Sequence, residues 1–284
     1  MIHLALSLLL PLTTVAGPVA ATTALPPEPA AVVIDEDDEE EEELDPKLVE
    51  ATVEALEAAF EKGVEIPDRL TAIEASALVP HEDVAKALRD GLGDDDLEVV
   101  RATLVVLGKM ETVERSLDEL LRFNKKDKRL KKDEDLFAET LKAISWRGSP
   151  ETIDILSEDI FGTVSPKIIR ARIFGLGRCR TFESVEALMG LMKGAGKGKV
   201  QPFMDDLRIS LSILADVDHG NSQVRWLEWW SENKRDLEIS EEVPAIHNAL
   251  QKRWDKYWGS TRAPKEKKGG RGGDDEEPGD RGDG

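Results

Sequence analysis

Two stretches come nearest to chemistry in residue type and spacing: "DVDHGN", Asp216 to Asn221, and "KGAGKGK", Lys193 to Lys199. Alternating acids closed by a glycine can present oxygen ligands to calcium. Here the glycine comes one place early, and Leu227 stands where a bidentate glutamate is required. The expected role is therefore a turn, with Asp218 capping the helix that follows. A glycine- and lysine-rich loop can cradle a phosphate on its N–H groups. In this one Gly190 and Gly196 are wrongly spaced, Gly198 fills the Ser/Thr position and no strand pattern precedes it. It reads as a loop between units. The chain has no HExxH, GxSxG or CxxC, and its histidines (His3, His81, His219, His247) are scattered. Cys179 is the only cysteine, so no intrachain disulfide is possible, and a small buried apolar role is expected for it. These residues predict no catalytic group, no metal and no cofactor, and so a protein that is not an enzyme.

Composition narrows the partner class. Against 38 Lys and Arg stand 58 Asp and Glu, a net charge of -20. The run "DEDDEEEEELD", Asp35 to Asp45, supplies ten of the negatives. Attraction to phosphate is the main source of nucleic-acid affinity, so such a chain argues against a nucleic-acid partner. The N-terminus has an apolar stretch from Leu4 to Leu12, followed by small residues suited to signal-peptidase cleavage after Ala16 or Ala21. The stretch is too short for a stable membrane span, and Pro11 and Pro18 interrupt it. No Lys or Arg precedes it, which departs from the usual export signal. The expected organisation is a signal peptide over 1–24, a disordered acidic linker over 25–45, a folded region over 46–258 and a disordered tail over 259–284. In that Gly- and Asp-rich tail the tripeptide Arg281 to Asp283 arises easily by chance. "RFNKKDKRLKKDED", Arg122 to Asp135, runs against the acidic trend and reads either as a solvated loop or as a contact for an acidic partner.

Within the folded region one pattern recurs. "LEVVRATLVVLGKMETVERSLDELLRF" (Leu97 to Phe123) and "PKIIRARIFGLGRCRTFESVEALMGLM" (Pro166 to Met192) each open on two aliphatics and an arginine, then reach Leu-Gly-Lys or Leu-Gly-Arg. A second apolar-periodic segment follows in both. Weaker copies anchor on Ala72, Glu139 and Ile209 beside Ala102 and Ala171, at spacings of 30, 37, 32 and 38. In each unit helix A carries apolar residues three and four apart, such as Ile169, Ile173 and Leu176. Gly108 and Gly177 are placed to end it in the left-handed conformation. Helix B then repeats the period with Val113, Leu117 and Leu120, or Val185, Leu188 and Met192. Neither helix can bury its apolar face alone, so the pairs must stack.

The turn and helix in "DDLEVVRATLVVLGKM" and "SPKIIRARIFGLGRC" resemble HEAT repeats, close relatives of armadillo repeats, with Arg101 and Arg170 in the family's basic position. The resemblance covers Asp45 to Lys234 and is loosest in the third unit, where Ala138 replaces the arginine. It implies an all-α fold, a right-handed α-solenoid of about five helix pairs. "DHGNSQVRWLEWW" also resembles the terminal segment of some exported bacterial HEAT-repeat proteins. Trp226, Trp229 and Trp230 share one helical face, and the helix "PAIHNALQKRWDKYWG" carries another aromatic stripe, Trp254, Tyr257 and Trp258. Pro244 suits its first turn and Gly259 its stop. The expected picture packs these two tryptophan faces together as a C-terminal cap rather than leaving a ligand platform.

The resemblance further implies a non-enzymatic scaffold that binds another protein on a concave face lined by the B helices. The alternatives are an enzyme-associated module of lyase type and a structural component of the cell envelope. Setting Val84, Val113, Ile153 and Val185 in register puts Glu114, Asp154 and Glu186 at one outward position, with Asp118 and Glu158 a turn further on. These five carboxylates would form a negative strip for a basic partner segment, or else a solvated face with local pairs such as Asp118 with Arg122. If the signal is cleaved on export, the intact mass of native protein should place its first residue between Gly17 and Leu25; a start at Met1 would overturn that expectation.

Overall fold

A computed structural model of the chain describes residues 44–260, apart from 161, 163, 164 and 195. The expected signal peptide, the acidic run as far as Glu43 and the tail from residue 261 lie outside the described residues. Among the described residues there are fourteen α-helices and no strand. The first six are α1 (Pro46–Ala59), α2 (Ile66–Ser76), α3 (Glu82–Ala87), α4 (Arg89–Leu92), α5 (Leu97–Lys109) and α6 (Glu114–Lys126). Next come α7 (Glu134–Ser145), α8 (Ile153–Ser157), α9 (Pro166–Arg178) and α10 (Phe182–Gly194). The last four are α11 (Lys197–Val200), α12 (Met204–Ala215), α13 (Gln223–Asn233) and α14 (Asn248–Trp258).

Local chemistry explains the helix starts. The side chains of Asp45, Asp96 and Asp133 accept backbone N–H bonds at the heads of α1, α5 and α7, where the first-turn donors have no partner within the helix. Pro46 and Pro166 open α1 and α9, where a missing N–H costs nothing. Gly259, at φ 72°, ends α14 in the left-handed conformation, as its position after the last aromatic predicts.

The helices pack in chain order. One row runs α2, α5, α7, α9, α12, each against the next. Beside it α1, α3 and α6 pack in succession, and so do α8, α10 and α13. Helix α7 joins the two halves of the core. Its Leu136, Ala143 and Ile144 belong with the apolar residues of α1 to α6, while Ala138 and Leu141 belong with those of α8 to α13. Packing of each element against its sequence neighbours is what stacked helix pairs require.

The glycines do a different job from the one expected. Gly108 and Gly177 lie inside α5 and α9 with ordinary helical backbone, and Met110 and Cys179 follow as C-caps. A Cβ on Gly108 would meet the Ala143 backbone at 3.1 Å, and one on Gly177 would meet Ser210 Cβ at 2.6 Å. Gly175 leaves similar room for Ser145 Oγ, at 2.3 Å from the position of a Cβ. These residues are absent side chains at helix crossings rather than stops, because the A helices approach too closely for a methyl group.

The two tryptophan faces do not meet either. Trp226 and Trp229 of α13 are buried in the core with α10 and α12, and Trp230 lies over Phe182, with ring centroids 5.5 Å apart. Helix α14 instead packs on α12, on the far side of the A row. There Trp254 and Tyr257 cover Phe174, and Trp258 meets Trp146 edge to face at 5.5 Å. The reason is that α9 and α12 carry Phe174, Ile209 and Ile213 on their outer side, an apolar surface that needs its own cover. Arg180 holds the connecting segment in place by donating to the carbonyls of Ile213, Ser240 and Glu242.

Replacing Gly177 with Ala should lower stability by roughly 1–2 kcal/mol although alanine is the better helix former, since overpacking outweighs a propensity gain of about 1 kcal/mol. The same change at Gly190 of α10, where a Cβ would meet nothing within 4 Å, should raise stability by roughly 0.5–1 kcal/mol. Urea unfolding midpoints of the two variants should move in opposite directions; a rise for both would mean that the crossing at Gly177 is loose.

Candidate functional site

Several acids that face a neighbouring helix of the row are already engaged. Asp94 accepts from Arg69 at 2.6 Å, Glu139 of α7 from Arg101 of α5 at 2.8 Å, and Asp206 of α12 from Arg170 of α9 at 3.1 Å. Arg101 and Arg170, the repeated basic residues, thus tie α5 to α7 and α9 to α12. Glu119 of α6 is 2% exposed and receives both Arg89 and Arg115, the latter at 2.8 Å. Arg129, inside the basic segment, is structural as well. It donates to the carbonyls of Leu92 and Asp94 at 2.7 and 2.5 Å and lies over the Phe123 ring. That segment is not a plain loop: α6 runs into it as far as Lys126, and a 3-10 turn follows at Arg129–Lys131 with Leu130 buried.

The five carboxylates expected to form a strip are, by contrast, exposed, and none joins an ion pair among the described residues. Glu114 and Asp118 sit one turn apart on α6, Asp154 lies in the first turn of α8, and Glu186 lies on α10. Glu158 is not within a helix. Helix α8 is only five residues long and Glu158 is its C-cap, with extended backbone. Arg172 of α9, itself buried, fixes that end by donating to the Ile155 and Glu158 carbonyls. Helix α6 also ends in the exposed cations Lys125 and Lys126, after exposed Arg122, so its carboxylates share their helix with positive charge. The acidic character is therefore greatest on α8 and α10.

Between α8 and α10 lies a hollow of ≈ 670 Å³. Of the five residues only Glu186 lines it, joined there by Glu183 and Asp159. Its floor is apolar, with Ile153, Ile160 and Leu191, and Lys199 is the one cation in the lining among residues whose side chains are described. Glu183 was legible in the sequence, three residues before Glu186 on the same helical face. Asp159 was not, since it reaches the hollow from a turn with φ 36° that no periodicity marks. Carboxylates at the rim of an apolar hollow suit a lysine or arginine, whose methylene stem buries while its head stays paired.

The tryptophans and the acidic turn make one structural unit. Trp226 is fully buried and its Nε1 donates to the Gly220 carbonyl at 2.9 Å. Gly220, at φ 64°, turns that carbonyl towards the indole. Ser222 caps α13, not Asp218 as expected. Both oxygens of Asp218 are taken by Arg208, at 2.7 and 2.6 Å, and its carboxyl is held below the usual range by that hydrogen bond first. Cys179 is buried as expected, its Sγ 3.4 Å from Thr152 Oγ1, and burial pushes the thiol's pKa up.

Burial of Glu119 works against its charge, but the hydrogen bond and charge of Arg89, with Arg115 and Arg122, outweigh it and hold the carboxyl below its ordinary pKa. A lowered folded pKa gives stability that is present above the ordinary carboxylate range, about 4.3, and is lost as pH falls through the folded value. Glu119→Gln should therefore cost roughly 2 kcal/mol at pH 7, with the gap to the natural chain closing as the medium is acidified through that range. Urea titrations across pH would show it; a gap independent of pH would mean that the ionised pair is not what stabilises the site. Compared with known proteins, the chain matches no family model and no curated sequence.

Proposed function

We propose that this chain is a HEAT-type scaffold that binds a basic segment of another protein. The reading takes the stacked helices as a right-handed solenoid of about five pairs with a capping C-terminal helix. It is supported by helix packing in chain order and by the arginines at 101 and 170 that bridge successive A helices. The exported setting follows from the N-terminal pattern "MIHLALSLLLPLTTVAGPVAA", which suits secretion followed by cleavage.

One observation carries the binding role. Glu139 and Asp206, which face the preceding A helix, are held in ion pairs, whereas Glu114, Asp118, Asp154, Glu158 and Glu186 on the B side stand exposed and join no ion pair among the described residues. Glu186, joined by Glu183 and Asp159 at an apolar hollow, offers a surface for something outside the fold. The α8 and α10 members should contribute most, because α6 carries its own compensating cations.

The test is affinity capture from the source organism's envelope fraction, followed by titration of the protein that co-purifies. Five exposed ion pairs at roughly 0.2–1 kcal/mol each amount to about 1–5 kcal/mol, so converting all five to amides should weaken binding by about fivefold or more. Added salt should weaken it as well. Neutralising Glu39 to Glu43 instead should have much less effect. Equal loss from both sets would reduce the effect to net charge, and no loss from the first set would remove this surface from the function.

A further inference from the structure

The opposite side of the helix row holds a second concave feature, and its charge is inverted. A cavity of ≈ 360 Å³ opens where α5 and α7 meet the end of α14. Trp146, the C-cap of α7, and Trp258, the last residue of α14, form its aromatic wall, and Val105 of α5, 50% exposed, adds an aliphatic one. Its charged lining is Arg101, Lys109, Lys142 and Glu139. In a chain of net charge -20 this lining sums to three positive charges against one negative.

The cations are placed around the indoles. Lys109 Nζ and Lys142 Nζ each lie 5.8 Å from the Trp146 ring, and Lys142 Nζ lies 6.0 Å from Trp258 and 4.9 Å from Tyr257. Arg178 covers the same two indoles at 5.6 and 5.0 Å but is paired with Glu111. Glu139 is bonded to Arg101 at 2.8 Å. That leaves Lys109 and Lys142 with no carboxylate within ion-pair distance among the described residues, although Glu139 acts on Lys142 from further away. Lys142 donates one bond, to the Tyr257 carbonyl at 2.6 Å, and an ammonium has three donors. Burial lowers its pKa; the nearby Glu139 carboxylate offsets part of that, and repulsion from Lys109 adds a smaller lowering. Two like charges crowded on one indole are stabilised by an anion between them. Trp258 Nε1 is buried and meets no acceptor among the described residues.

We propose that this cavity binds a small organic carboxylate with an apolar body of about ring size. Lys109 and Lys142 receive the carboxylate, while Trp146, Trp258 and Val105 enclose the apolar part. The volume lies at the low end of small-molecule sites, roughly 300–1,000 Å³, which favours a compact ligand. Two edge-to-face indoles offer a ring the offset contacts that aromatic groups prefer. A carboxylate matches the donors here better than a phosphate dianion, because Arg101, the one guanidinium in the lining, is already occupied by Glu139.

The test uses the full chain and naphthalene-2-carboxylate as the probe, titrated by calorimetry beside its neutral isostere, naphthalene-2-carboxamide. The expected result is saturable binding at one site, about tenfold or more tighter for the acid than for the amide. Lys109→Met changes an exposed side chain and should weaken the acid by about tenfold while leaving the amide unchanged. Lys142→Met should do the same, and Lys142→Arg, which keeps the charge, should restore most of the affinity. Lys199→Met, in the acidic hollow, should alter neither. An indole N–H resonance assigned to Trp258 by its Trp258→Phe variant should shift on saturation. Equal affinity for acid and amide, no saturation at millimolar probe, or unchanged binding by Lys109→Met would each overturn the proposal.

Discussion

The close crossing of consecutive A helices is the constraint on which the rest of this structure depends. At Gly108 against Ala143 and Gly177 against Ser210 one helix backbone lies close to the next, and at Gly175 the Ser145 hydroxyl fills the space, so a methyl group at any of the three would force a shift. Such contact brings whole backbones into dispersion range and removes water from the crossing. Polar groups at these crossings have to be satisfied locally, and they are. Ser210 Oγ donates across the crossing to the Ile173 carbonyl at 3.0 Å, and Ser145 Oγ donates back to Leu141 at 2.6 Å. With the axes held at that distance, Arg101 and Arg170 can reach acids on the following helix. A wider crossing would leave those pairs to solvent.

An apolar row packed this way has two exposed flanks, and the chain covers them with different elements. One flank takes the B helices and then α13, whose Trp226 is locked by the Gly220 carbonyl. The other flank, bearing Phe174, Ile209 and Ile213, takes α14. Arg253 secures that helix through Asp205 and Asp206, at 2.6 and 3.0 Å, and Lys142 secures its last turn. The aromatic residues near the C-terminus are thus divided between two surfaces because the row has two apolar sides to cover.

Charge follows the same division. On the A side acids and arginines are spent on joining helices, which leaves lysines gathered over the Trp146 and Trp258 indoles without carboxylates. On the B side Glu183 and Glu186 of α10, with Asp159 after α8, stand at an apolar hollow and join no ion pair among the described residues. The two concave features therefore differ in sign, in size and in wall chemistry. They suit different molecules: a basic side chain on one flank and a compact organic anion on the other.

The sequence by itself determined the helices, because apolar residues three and four apart and aspartates before apolar runs are local signals that act within one or two turns. It also determined that Trp226 belongs to a buried face and that Arg101 and Arg170 hold equivalent positions. The exposure of Glu114, Asp118, Asp154 and Glu186 followed from the same helical register. What the register could not contain was any quantity set by a neighbouring helix. Gly177 reads as a stop until Ser210 is found against it, and Glu158 reads as a helical residue until Arg172 ends α8. Asp218 reads as a cap until Arg208 takes both its oxygens. The pairing of Trp258 with Trp146, 112 residues earlier in numbering (258 − 146), and the gathering of Lys109 and Lys142 on one indole have no local signal at all. Those contacts were decided by which apolar surface was left uncovered when the row had packed, and burial of apolar area has no direction along the chain.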